Sequence, residues 1–396
     1  GTMSLQSTPS GERVHIGIFG RRNAGKSSLI NAMTGQNLAI VSDIKGTTTD
    51  PVLKSMELLP LGPVVLMDTP GIDDEGQLGE LRMQKTYQML NKTDIAILVV
   101  DSSVGMTEDD AAILERIREK QIPYVVAWNK CDLLSQPLEL TDGYGIQVSS
   151  VTGEGIQELK EMVATRFSGK TSNRRIVGDL LKPMDFVVLV TPIDEAAPKG
   201  RLILPQQQTI RDILDVGAVP IVVRDTELKQ TLWKLQSKPA MVITDSQVFG
   251  EVSKTVPLDI PLTSFSILMA RYKGDLQTVV EGAYMLNRLQ EGDKVLIAEG
   301  CTHHRQCEDI GTVKLPRWIS EYTRKELQFD FTSGTEFPTH LSKYQLIIHC
   351  GGCMLNEREM KYRLQCAKDQ MVPITNYGTA IAHMRGILMR SLEPFR

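Results

Sequence analysis

No apolar run in this 396-residue sequence reaches the ~18 residues needed to span a bilayer as a helix, so no transmembrane helix is expected. Charge of one sign is not in excess. Lys and Arg number 44 against 48 Asp and Glu, and the net charge of −4 argues against a general nucleic-acid or membrane surface. Aromatic residues are few, at 5%, and none interleave with a Lys/Arg concentration in the C-terminal half, so an RNA-binding tail is not expected. The first 11 residues have no apolar core of the secretory kind. No segment repeats at fixed period or has low complexity. These absences point to a cytoplasmic protein with neither nucleic acid nor membrane as partner. Cysteine is also sparse through most of the chain. Cys131 stands alone, whereas Cys301, Cys307, Cys350, Cys353 and Cys366 gather near the C-terminus. In a reducing compartment such thiols are not structural disulfides, and their clustering favours a metal or redox role.

The remaining composition, 41% hydrophobic and 23% charged, is that of a globular protein, and the length suggests two or three domains. Short apolar runs at 14–19, 64–67, 95–100 and 124–128 alternate with helical stretches, the pattern of a mainly parallel sheet with crossover helices. Strands at 186–190, 221–223 and 241–244, with helices at 208–215 and 226–235, form a second, smaller α/β unit. A third has helices at 275–289 and 356–368 and strands at 294–298 and 346–349. The fold class is therefore α/β: a P-loop domain with flanking helices, then two smaller α/β domains. The expected boundaries are a disordered N-terminus or tag remnant at 1–11, a first domain at 12–170, a polar linker at 171–180, a second domain at 181–262 and a third at 263–396.

Three motifs carry the nucleotide reading. Gly20-Arg21-Arg22-Asn23-Ala24-Gly25-Lys26-Ser27 fits G-x-x-x-x-G-K-S between a strand and a helix that includes Ser28. Its backbone N–H groups and the helix N-terminus suit phosphates, Lys26 reaches the outer phosphates, and the Ser27 hydroxyl can ligate Mg²⁺. Asp68-Thr69-Pro70-Gly71 follows a strand; Asp68 can hold Mg²⁺ through water and the Gly71 amide can meet the γ-phosphate. Asn129-Lys130-Cys131-Asp132 follows another strand. The Asp132 carboxylate can accept from both the N1 proton and the 2-amino group of guanine, donors that adenine lacks in that arrangement. Ser149 and Ser150 supply a further loop near the guanine O6. GTP and GDP are thus the expected ligands.

These residues resemble the Era and TrmE group of GTPases. By that resemblance Gly46-Thr47-Thr48-Thr49-Asp50 is the first switch region, and Thr48 or Thr49 completes the Mg²⁺ shell. Lys26, Thr48, Thr49 and Gly71 are then the catalytic candidates. Ras-like enzymes carry a Gln after D-x-x-G to orient the attacking water, but Ile72 stands here. Asn23 matches the residue that helps ligate K⁺ in TrmE-like proteins, which implies slow, K⁺-stimulated hydrolysis.

A second constellation reads C-x-H, 45 intervening residues, then H-C-x-x-C: Cys301 and His303, then His349, Cys350 and Cys353. Three Cys plus a His suit tetrahedral Zn²⁺; three Cys equally suit a 4Fe-4S cube with one exchangeable iron. Spacing alone does not choose between them, and His303 and His349 are either ligands or donors behind the ligands. Taken together, the two constellations and the run Gly200-Arg201-Leu202-Ile203-Leu204-Pro205-Gln206-Gln207-Gln208 resemble the HydF family from about residue 10 onward. That resemblance implies a GTPase and scaffold in the maturation of FeFe-hydrogenase. A 4Fe-4S cluster would sit on Cys301, Cys350 and Cys353, and a di-iron precursor would be carried transiently. The implied partners are radical-SAM maturases and the hydrogenase, and the implied assembly is a homodimer formed through the central domain.

Overall fold

A computed structural model describes residues 13–35, 52–59, 61–69, 79–140, 142–167, 174–193, 202, 204–299, 309–333, 337–350 and 357–396. The chain divides into two compact units, at 1–172 and 173–396.

The first unit runs β1 (Val14–Gly20), α1 (Lys26–Thr34), β2 (Val52–Leu58), β3 (Gly62–Asp68), α2 (Gly79–Asn91), β4 (Ile95–Asp101), α3 (Glu108–Glu119), β5 (Tyr124–Asn129), β6 (Gly145–Gln147) and α4 (Ile156–Phe167). Its six-stranded sheet has the order β2-β3-β1-β4-β5-β6, parallel except for β2 against β3. Strands β1, β3, β4 and β5 are near-continuous apolar runs because helices cover both of their faces. Alternate side chains serve opposite layers. Ile16, Ile18, Ile97 and Val99 pack with Leu29, Met33, Leu159 and Val163 of α1 and α4. Phe19, Leu98 and Val100 pack with Leu90, Ile113 and Ile117 on the side of α2 and α3. The edge strand β2 escapes the sequence reading because Lys54, Ser55 and Glu57 interrupt its apolar residues, which suits a half-exposed edge and not a buried run.

The second unit continues with β7 (Phe186–Val190), α5 (Leu204–Asp215), β8 (Val219–Val223), α6 (Leu228–Lys234), β9 (Met241–Thr244), α7 (Phe249–Thr255), β10 (Leu262–Ser264), α8 (Phe265–Lys273) and α9 (Leu276–Tyr284). There follow β11 (Lys294–Ala298), α10 (Leu315–Thr323), β12 (Gln328–Thr332), β13 (Leu346–His349), α11 (Glu357–Asp369), β14 (Ile374–Asn376), α12 (Tyr377–Met384) and α13 (Leu388–Leu392). Two parallel four-stranded sheets result, β10-β9-β7-β8 and β12-β11-β13-β14.

Two particulars differ from the sequence reading. The second sheet extends through β10 to Ser264, and Phe265, Leu268 and Met269 of α8 pack into its core, so that sheet runs past residue 262. A three-residue strand behind Pro261 has too little pattern to be legible. The segment expected to be a linker up to residue 180 is partly built in: Ile176 and Val177 are buried among the same residues, and the Val177 and Gly178 amides donate to Asp212. Two apolar residues in a polar stretch found a core that was not visible locally. Residues 1–11 lie outside the described residues.

Candidate functional site

The phosphate loop lies between β1 and α1, and its glycines are demanded by geometry. Gly20 has φ 142°, and a Cβ there would sit 2.4 Å from the Val99 carbonyl oxygen. Gly25 has φ 88°, and a Cβ would sit 2.5 Å from the Asn129 side-chain nitrogen. No side-chain cap closes the N-terminus of α1 and no acidic residue stands in its first turn, so its leading N–H groups are available to an anion. Lys26 is buried, with its ammonium 3.9 Å from Asp68 at the end of β3. That Asp68 oxygen is buried and has no hydrogen bond among the described residues. An orphaned carboxylate oxygen near Lys26 fits a hydrated Mg²⁺, which would supply charge neutralisation to phosphates.

A second loop meets the first from β5. Asn129, fully buried, donates from Nδ2 to the Ala24 carbonyl at 3.0 Å and accepts from the Ser150 amide at 3.2 Å. Lys130 takes the left-handed conformation at φ 64°. Its ammonium donates to the Asn23 carbonyl at 2.6 Å and to Asp101 at 3.0 Å. Asp132 accepts from the Ser149 hydroxyl at 2.8 Å, and the Ser149 hydroxyl oxygen in turn accepts from the Thr152 amide. The third loop thus orients the carboxylate, leaving it acceptor capacity for a base edge carrying two donors. Beside it, burial and then Glu154 push the Cys131 thiol up from its ordinary value. Ser28 is exposed on α1, as is Asn23 in the loop. Asp101 escaped the sequence reading, although an Asp closing the otherwise apolar run of β4 is a visible signal. Thr48, Thr49 and Gly71 lie outside the described residues.

In the second unit, β11 and β13 are parallel neighbours, with Ala298 in register with His349. Cys350 follows at once, is buried, and donates its amide to the Ala298 carbonyl at 3.1 Å. His349 has no exposed surface, and among the described residues neither ring nitrogen has a hydrogen-bond partner. Burial, reinforced by the Arg363 guanidinium, pushes its pKa down to about 3. A neutral imidazole with free nitrogens next to a thiol is a donor set that fits a soft metal centre. Cys301, His303 and Cys353 lie outside the described residues. Among the described residues no group of three or more His, Cys, Asp or Glu is gathered for a metal. Cys366 is buried in the core of the third sheet.

The first unit is that of a P-loop GTPase: residues 15–130 match the family model of the 50S ribosome-binding GTPases. It is 39% identical over 153 residues to the tRNA modification GTPase MnmE of Nitrosomonas europaea, an alignment covering 38% of this chain and 34% of that protein. The MnmE of Aquifex aeolicus is likewise 39% identical, over 155 residues. The chain thus spans about a third of the length of these relatives. Among solved structures, a probable GTP-binding protein EngB is similar at 24% identity and a TM-score of 0.32, over 40% of this chain and all of that one. The rest of the chain is more particular. Residues 176–274 match the hydrogen maturase F dimerization domain and residues 277–394 its tetramerization domain, together more than half of the chain. The chain belongs to the hydrogen maturase F, or HydF, family.

Proposed function

We propose that this protein couples a GTP-driven switch to an iron–sulfur scaffold that assembles or delivers the di-iron subcluster of FeFe-hydrogenase. The guanine-nucleotide roles are supported by the three motifs and by the contacts among the described residues. Gly20, Asn23, Ala24, Gly25, Lys26, Ser27 and Ser28 surround the phosphates; Asp68 and Ser27, with Thr49, hold Mg²⁺; Asn129, Lys130, Asp132, Ser149 and Ser150 take the base. Lys26, Thr48 or Thr49, and the Gly71 amide stabilise the charge that develops on the γ-phosphate. With Ile72 in place of a water-orienting Gln, hydrolysis is slow, and K⁺ at Asn23 stimulates it. Equal rates in K⁺ and Na⁺ buffers would refute that part. GTP orders the switch loops and hydrolysis releases them, changing affinity for a radical-SAM maturase or the hydrogenase.

One observation carries the scaffold half: β11 and β13 are parallel central neighbours that end in register at the same end of their sheet, Ala298 beside His349, just before the first half-motif in sequence and at the start of the second. Three residues of chain reach at most ~10 Å and neighbouring strands lie ~5 Å apart, so the chain length from Ala298 allows residue 301 to meet Cys350. Cys301, Cys350 and Cys353 would hold a 4Fe-4S cluster, with His349 or His303 beside it. Such a cluster supplies an exchangeable iron site. A homodimer through 176–274 agrees with the family's dimerization domain. The MnmE likeness is confined to the GTPase part and does not favour an RNA-linked role for the whole chain. Iron and acid-labile sulfide assays after anaerobic reconstitution test the reading: about four of each per chain are expected, and zinc without iron overturns it.

A further inference from the structure

β4 runs one residue beyond its apolar core and ends on Asp101, in register with Asn129 of β5, whose carbonyl accepts from the Ser102 amide at 2.9 Å. Asp101 is buried, and both of its carboxylate oxygens are engaged. One accepts from the Ser103 amide at 2.9 Å and the Ser103 hydroxyl at 2.6 Å; the other accepts from the Lys130 ammonium at 3.0 Å. Lys130 also donates to the Asn23 carbonyl at 2.6 Å, so a single ammonium ties the β5 loop to the phosphate loop and to β4. Its backbone, at φ 64°, is held by the Cys131 amide on Val148 and the Leu133 amide on Lys130.

We infer that Asp101 is a positioning residue for nucleotide binding. It fixes the Lys130 ammonium between the base loop and the phosphate loop before the nucleotide arrives. The inference rests on the guanine-nucleotide reading above and deepens it.

The physical need is specific. A free lysine side chain samples many rotamers and loses that freedom when a ligand orders it. A carboxylate anchored by Ser103 offers the ammonium one geometry in the empty protein. It also balances a positive charge that would otherwise stand half-buried against a carbonyl. Burial alone pushes the Asp101 carboxyl up, but hydrogen bonds from Ser103 and Lys130 outweigh it and hold the group below the usual carboxylate range. The anchor is therefore ionised throughout the neutral range.

The test is the dissociation constant of a fluorescent N-methylanthraniloyl GDP, with GTPase kinetics alongside, in the full chain. Asp101→Asn keeps shape and removes the charge; it raises Kd about five- to tenfold, the effect of one charge-assisted contact. Asp101 acts through Lys130, which belongs to the loop that takes the base, so the loss falls chiefly on KM and less on kcat. In a Lys130→Met background the same change adds less than about twofold, since the group it positions is gone. Wild-type affinity in Asp101→Asn overturns the proposal. An equal loss in both backgrounds does so too, because Asp101 would then only support the loop fold. Should Asp101→Asn prove insoluble, Ser103→Ala removes one anchor and is expected to raise Kd about two- to threefold; no rise overturns the proposal. If the wild-type protein itself binds no guanine nucleotide, it is the underlying nucleotide reading that fails.

Discussion

Lowering the pH from 7 to 5 probes the burial of His349 in the metal-free protein. In the unfolded chain its imidazole protonates near 6.5, whereas in the folded unit burial and Arg363 hold it neutral down to about 3. Between those values the unfolded state binds one more proton. Stability is therefore fully present above 6.5 and declines as the pH falls towards 3. From pH 7 to pH 5 the loss is about 2 kcal/mol, a figure that requires the folded value to lie about one unit or more below 5. With a urea slope near ~3 kcal/mol per M, the midpoint moves ~0.6 M further than in a His349→Gln variant. Contributions from the other histidines cancel in that comparison. Urea unfolding under reducing conditions, followed by the fluorescence of Trp318 in the same unit, measures both slopes. Nitrogen chemical shifts of the imidazole give the protonation state directly. Identical pH slopes in the two proteins, or a protonated His349 at pH 5 in the native state, would refute the reasoning.

Replacing Asp132 by Asn removes the acceptor for two base donors. We expect a loss of about 2–3 kcal/mol in GTP binding, roughly 30- to 150-fold, with a relative gain for xanthosine triphosphate; unchanged selectivity in competition binding argues against Asp132 as the base reader. Gly25→Ala forces a side chain into left-handed backbone, against the Asn129 amide. It should cost about 1–3 kcal/mol and weaken GDP binding, seen as a lowered Tm and a raised Kd. Cys350→Ser should lower reconstituted iron well below half of wild type while leaving GTP hydrolysis intact; full iron content would exclude Cys350 as a ligand.

The two units were legible in the sequence to different degrees. The P-loop domain announces itself because strand–loop–helix context and motif spacing agree, and because buried parallel strands read as unbroken apolar runs such as 95–100. β2, β6, β10, β12 and β14 carried no such signal. Each is short or lies at a sheet edge, or alternates polar residues that a loop would also contain.

By itself the sequence determined the chemistry: which side chains are present, the order of the nucleotide motifs, and the two cysteine-bearing half-motifs separated by 45 residues. Tertiary structure alone decided which of them cooperate. The role of Asp101 exists only because β4 and β5 pair in a register that sets it beside Asn129 and within reach of Lys130. His349 has its depressed pKa only because β13 lies between β11 and β14 under helical cover, where water cannot stabilise the imidazolium. Local spacing encodes motifs; proximity and desolvation arise when distant segments share one sheet, and no single segment contains that information.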